Sequence, residues 1–92
     1  MEKEIVWTAR AQTDFWMIVR YIAENWQLPV LDDFNHLLNL KLQLLQKQPH
    51  IGFKSRKYSK YRKTIIGRRY VLIYSITKEH IVIHRLKHGS LK

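Results

Sequence analysis

The stretch YRKTIIGRRYVLIYSITKEHIVIHRLK, residues 61–87, decides the fold. It divides into three runs rich in β-branched and aromatic residues: Tyr61 to Ile66, Arg69 to Ile76 and His80 to Lys87. Gly67-Arg68 separates the first two and Thr77-Lys78-Glu79 the last two, lengths that suit hairpins between antiparallel strands. If the first turn centres on Gly67-Arg68, Ile66 lies opposite Arg69 and Ile65 opposite Tyr70. If the second centres on Lys78, Arg69 lies opposite Lys87 and Arg68 opposite His88. This register gathers Arg68, Arg69, Lys87 and His88 at one end of the sheet, and a slip of one residue would exchange the faces. Arg62 then stands about four residues from that end, roughly 13 Å at strand rise.

Ahead of these strands, Phe53 to Lys60 is basic and polar and predicts a loop, and Pro49-His50-Ile51-Gly52 closes a helical part before it. A helix starting near Pro29, with Asp32 and Asp33 at its positive end, carries a main seam of Leu31, Phe34, Leu38, Leu42 and Leu45. Leu37, Leu40 and Leu44 form a second stripe, so the apolar arc spans roughly 200°. Either the preceding helix and the sheet cover both sides, or this second stripe is partly exposed and receives another chain. The preceding helix is capped by Thr8 and places Ala11, Phe15, Ile18, Ile22 and Trp26 within an arc of about 80°. Leu28-Pro29 interrupts it. Trp7, Trp16 and Trp26 are expected in the core, and Glu4 to Thr8 reads as a strand. The order strand, helix, helix, three antiparallel strands predicts an α+β architecture with both helices on one face of a small sheet, in one domain over residues 1–92.

Ninety-two residues support a single modest core, which excludes a large enzyme. Apolar residues make up 46% of the chain and Pro plus Gly only five positions, which argues against a disordered polymer. The absence of cysteine excludes a disulfide framework and a thiolate metal site. Met1-Glu2-Lys3-Glu4 lacks the basic and apolar regions of a signal peptide, and no run of about 18 apolar residues occurs. A cytoplasmic protein without a membrane partner is expected.

The formal net charge is +10, and its distribution is lopsided. Residues 1–53 hold five basic and six acidic residues, whereas residues 54–92 hold twelve basic residues and a single acid, Glu79. A half-chain of that kind attracts nucleic acid first, then acidic proteins or anionic surfaces. Guanidinium groups grip phosphate bidentately, and a histidine titrating near neutrality can take or give a proton. RNA supplies its own 2′-hydroxyl nucleophile, so metal-free RNA cleavage needs only a base, an acid and positive charge. The same residues would equally serve to solvate a sheet edge or to bind an acidic partner. Tyr58 and Tyr61, interleaved with Lys57, Lys60 and Arg62, suit either base stacking or simple packing. His80, His84 and His88 recur every four residues; on one face of a strand they stand roughly 13 Å apart, too far for one ion. No metal and no cofactor are expected.

In their order the motifs resemble the RelE/ParE superfamily of bacterial toxins from type II toxin-antitoxin modules, sometimes labelled plasmid stabilisation proteins. The resemblance covers nearly the whole chain: Ile5-Val6-Trp7-Thr8 with Ala11 and Phe15; Ile18-Val19-Arg20-Tyr21-Ile22 with Trp26; Phe34 and the leucine ladder into Pro49-His50-Ile51-Gly52; Tyr61-Arg62-Lys63; Arg69 to Tyr74; and Ile81 to Gly89. It implies a growth-inhibiting toxin encoded beside an antitoxin, which would wrap the toxin with a helix and an acidic or extended tail. Leu37, Leu40 and Leu44 would then be antitoxin-binding. Two activities divide the superfamily. RelE-like members cleave messenger RNA in the ribosomal A site; ParE-like members poison DNA gyrase without chemistry of their own. The ribonuclease reading implies Arg62 and Arg69 on phosphate, with His88 as acid or base. It also implies RNA contacts from Lys54, Arg56, Lys57, Lys60, Lys63, Arg68, Arg85 and Lys87, with the ribosome and messenger RNA as partners. A non-toxic basic nucleic-acid-binding module is the remaining alternative.

Overall fold

The computed structural model describes residues 2–89. Strand β1 (Glu4–Trp7) leads into helix α1 (Ala9–Asn25) and helix α2 (Leu28–Lys47). A single 3-10 turn (Pro49–Ile51) then passes the chain to β2 (Phe53–Lys54), β3 (Tyr61–Ile66), β4 (Tyr70–Ile76) and β5 (His80–His88). The strands form one mixed sheet in the order β1-β5-β4-β3-β2. Thr8 caps α1 as expected, its hydroxyl accepting from the Ala11 N–H at 3.1 Å.

The α+β architecture agrees with the expectation, but the sheet has five strands rather than three antiparallel strands plus one apart. Strand β1 adds in parallel beside β5, Ile5 against Ile81 and Trp7 against Ile83. Parallel pairing needs a long crossover, which here spans everything between the two strands. Phe53 and Lys54 pair with Lys63 and Arg62, so the expected loop begins as a short edge strand and only its remainder is irregular.

The hairpin register also differs. Gly67 has φ of 63° and, among the described residues, no non-glycine residue has positive φ, so Gly67 supplies the left-handed conformation of this turn. The turn takes three residues, and Ile66 pairs with Tyr70 instead of Arg69. At the second hairpin, Thr77 donates to the His80 carbonyl at 2.9 Å and closes a two-residue turn at Lys78-Glu79. A bulge follows, because Tyr74 pairs with Ile83 but Ile73 with Arg85. Together these shifts place Tyr70 opposite His88 and Val71 opposite Lys87, with Arg69 in the turn. The bulge also reverses side-chain alternation: Ile81 and Ile83 are buried before it and Leu86 after it. His84 and His88 therefore lie on opposite faces of the sheet, not on one.

The core lies between the helices and one face of this sheet. Ile22 of α1 and Phe34, Leu38 and Leu45 of α2 pack with Leu72, Tyr74, Ile81, Ile83 and Leu86. Two of the three tryptophans depart from the expected core placement: Trp16 is 64% and Trp26 48% exposed, while Trp7 packs edge-on against Phe15. The Leu37, Leu40 and Leu44 stripe is also exposed, at 40–48%. A five-stranded sheet of this width leaves the outer flanks of both helices without a cover.

Asp14 is the buried carboxylate that ties the layers together. It accepts from Arg85 Nε at 2.7 Å and from the Leu86 N–H at 3.0 Å. Burial alone would push this carboxyl up; the bonds from Arg85 and Leu86 outweigh burial and hold it below its usual value of 3.8. A depressed carboxylate contributes stability above its unfolded value, and that stability is lost as pH falls through the folded value. Asp14→Ala leaves Arg85 and the Leu86 N–H unpaired and should cost on the order of 3 kcal/mol, read by urea denaturation at pH 7. The difference between wild type and variant should shrink when the same melts are run near pH 2.

Candidate functional site

Beyond Ile83 strand β5 has no β1 partner, and α1 lies along its free end. Between them opens a cavity of about 590 Å³, floored by Met17, Ile18, Tyr21 and Leu86 and reaching Tyr70, Lys87 and His88. A second cavity of about 270 Å³ continues from it under the start of α2, past Trp26 and Leu37, to Arg68 and Arg69. Both share Tyr21, Tyr70 and His88, so they form one groove with an apolar floor and a rim of Arg68, Arg69 and Lys87, and Asp14 and Asp33 are the carboxylates of its lining.

Its polar groups are held from several directions. Tyr70 packs on Phe34 at 4.9 Å between ring centroids and on the His88 imidazole at 5.5 Å. Burial raises the Tyr70 phenol above its usual range against the opposing charge of Arg69, so the hydroxyl keeps its proton at neutral pH. The Arg69 guanidinium lies 5.7 Å from the Trp26 ring centroid, and the Arg69 carbonyl accepts from the Gly89 N–H. That backbone bond ties the residue after His88 to the β3–β4 turn.

The expected phosphate-handling trio is thus only partly assembled. Arg69 and His88 line the same cavity, but Arg62 points elsewhere. Arg62 donates to the His50 carbonyl at 3.2 Å and to the Gly52 carbonyl at 2.9 Å, and so holds the 3-10 turn. Its cross-strand partner Tyr74 completes the clamp, donating to the Pro49 carbonyl at 2.7 Å and accepting from the Gly52 N–H at 3.0 Å. A Cβ on Gly52 would stand 2.6 Å from the Tyr74 hydroxyl, which is why the clamp closes on glycine. Arg85, expected on RNA, is engaged by Asp14. Lys54, Arg56, Lys57, Lys60 and Lys63 are exposed around β2 and the following loop, remote from the groove, while Arg68 and Lys87 are exposed at its rim. Sequence reasoning missed Met17, Tyr21, Trp26 and Tyr70 as groove residues. For Met17 and Tyr21 the available signal was a thioether and an aromatic side chain on α1 outside its main seam.

Among the described residues, no three His, Asp or Glu side chains converge as a metal site would require. Also among them, no helix is long and apolar enough to cross a membrane.

The sequence pattern of the ParE toxin of type II toxin-antitoxin systems, parDE, matches residues 5–91. The chain belongs to that family. Solved structures agree on the fold of this ParE-family toxin. It is similar to a chromosomal ParDE toxin-antitoxin system from P. aeruginosa, with 15% identity and a TM-score of 0.75 over 97% of this chain and 98% of that one. It is also similar to the toxin-antitoxin complex RelBE2 from Mycobacterium tuberculosis, at 18% identity and TM-score 0.68 over 97% and 100% of the two chains. A YoeB dimer from Staphylococcus aureus is similar at 16% identity and TM-score 0.67, over 98% and 100%. No curated protein matches by sequence.

The two arginines have separable roles that a melting experiment reads. Arg62→Ala, which frees two turn carbonyls, should cost about 1 kcal/mol and lower the melting temperature by several degrees. Arg69→Ala, which removes an exposed rim group, should stay within about 0.5 kcal/mol of wild type.

Proposed function

We propose that this ParE-family chain is held inactive by a cognate antitoxin seated in the groove between α1, α2 and the end of β5. Once released, it arrests growth by ribosome-dependent cleavage of messenger RNA. The observation that carries the reading is the convergence of Arg68, Arg69, Tyr70 and His88 on one cavity. Its apolar floor and cationic rim suit an amphipathic antitoxin segment with acidic residues at its edges. The exposed Leu37, Leu40 and Leu44 stripe beside it extends the apolar surface such a segment would cover. Support for an antitoxin partner also comes from relatives solved as toxin-antitoxin complexes.

In the cleavage step, His88 takes the proton of the 2′-hydroxyl. That oxygen attacks the adjacent phosphorus, and the 5′-oxygen leaves with a proton from the Tyr70 hydroxyl or solvent. Arg69 neutralises charge on the phosphoryl oxygens. The products are a 2′,3′-cyclic phosphate and a 5′-hydroxyl.

A second reading, a gyrase-binding toxin without chemistry, is favoured by the use of Arg62 and Arg85 inside the fold. That use leaves Arg69 and His88 without the third group of the expected trio. Match to the ParE toxin family points the same way. Induced expression separates the two. The cleavage reading expects translation arrest, cleaved messages, and relief by His88→Ala or Arg69→Ala. Intact messages with continued protein synthesis, an SOS response and trapped gyrase-DNA complexes, all indifferent to His88→Ala, would replace it with the gyrase reading.

A further inference from the structure

The bulge in β5 gives one side chain a position that regular alternation would not. With Tyr74 on Ile83 and Ile73 on Arg85, His84 is the extra residue. Bulges re-aim side chains, and this one turns the imidazole onto β4, where Nε2 lies 2.7 Å from Ser75 Oγ. The titratable groups facing the ring are Tyr61, edge-on at 4.9 Å between centroids, and Lys60 through its charge. Burial, aided by that charge, holds the imidazole below its usual value, so at neutral pH it is uncharged. With the ring proton on Nδ1, Nε2 accepts from the serine hydroxyl, which is the arrangement of a hydroxyl nucleophile and its base. Both residues are partly exposed, so a small molecule reaches the pair from solvent.

The groove does not use this pair. Ser75 alternates with the buried Tyr74 and faces away from the helices, whereas Tyr70 and His88 share the helix-covered side with Leu72 and Leu86. On the open face the register sets Ser75 in a row with Tyr61 of β3, Val82 of β5 and Val6 of β1. Val82 lies between the buried Ile81 and Ile83, and Val6 between Ile5 and Trp7, which pack on the core. The hydroxyl therefore stands at the head of an uncharged strip, Val82 then Val6, about 10 Å long at the usual strand spacing.

Such a strip has room for a hydrocarbon chain of a few carbons attached to the carbonyl that the hydroxyl attacks. A phosphoryl donor would leave it empty. The Lys60 charge that acts on His84 also favours the oxyanion formed during attack. We propose that Ser75 is a nucleophile, with His84 as its base, that takes an acyl group from an activated short-chain acyl ester. Ser75 Oγ bonds to the acyl carbon while His84 Nε2 takes the hydroxyl proton. The bond from that carbon to the leaving oxygen then breaks, and the leaving group departs with the proton from the imidazolium. The product is an acyl ester of Ser75. This reaction goes beyond the function argued above: it uses no groove residue and holds whichever way the growth experiment turns out.

The test is incubation of the full chain with p-nitrophenyl butyrate, followed by intact mass spectrometry and peptide mapping. Wild type should gain a butyryl group on Ser75, and Ser75→Ala should gain none at that position. His84→Gln, which keeps a hydrogen-bonding side chain but removes the base, should slow acylation of Ser75 on the order of a hundredfold. In wild type the rate should rise with pH through an inflection below 6.5, the usual imidazole value, and stay level from there to neutrality. Replacing the butyrate ester by the acetate ester removes two methylenes from the strip and should slow acylation about tenfold. Absence of a Ser75 adduct, or an adduct confined to lysines, overturns the proposal. So do equal rates for wild type and His84→Gln, or equal rates for the two esters. The pH profile and the ester pair use the wild-type chain, so the result stays readable if His84→Gln does not fold.

Discussion

Past Ile83 the outer edge of β5 has no strand beside it among the described residues, and the Asp14 carboxylate takes the place such a strand would fill. It accepts the Leu86 N–H that a neighbouring strand would otherwise have satisfied, and it pairs with Arg85 one residue earlier. One side chain therefore caps a sheet edge, fixes α1 against β5 and neutralises a cation in a poorly solvated position. With α1 tied at Asp14, its next turns, carrying Met17, Ile18 and Tyr21, run beside the end of β5, and the groove is the space left between them.

The same economy explains where the charge goes. The basic half of the chain looks uniform when written out, but several of its arginines and lysines divide among three tasks. Arg62 and Arg85 are spent on carbonyls and a carboxylate within the fold. Arg68, Arg69 and Lys87 stand at the groove rim. Lys57 and Lys60 lie against Tyr58 and Tyr61, and Tyr61 faces the helix-free side of the sheet. Two surfaces of like charge on opposite sides of one thin sheet allow a partner on one without contact with the other.

How much of this was legible in the sequence depends on how local the governing interaction is. Alternation from Tyr61 to Lys87 located β3, β4 and β5, because side-chain period is a property of each strand alone. The seam of Phe34, Leu38 and Leu45 located α2 in the same way, and Thr8 announced the start of α1. The pairing of β1 with β5 was not legible, because it joins residues more than seventy positions apart and no turn specifies it. Phe53-Lys54 is too short to show a period. The bulge at His84 left no mark either, and with the two-residue turn at Lys78-Glu79 it misplaced the site: the two shifts together put His88 opposite Tyr70 instead of Arg68. Trp16 and Trp26 were read as core because they are apolar at helical spacing, yet spacing cannot say how far a sheet reaches beneath a helix.

The central claim is that one sheet carries two separate cationic surfaces, one on the helix side and one on the open side. An amide and indole chemical-shift map of the ¹⁵N-labelled chain titrated with U8 tests it most directly. The account predicts the largest shifts at Tyr58, Lys60, Tyr61, Ser75 and His84, with a separate and smaller set at the Tyr70 and His88 amides and the Trp26 indole. Shifts centred on Trp26, Tyr70 and His88, with the β2–β3 loop and His84 silent, would contradict it.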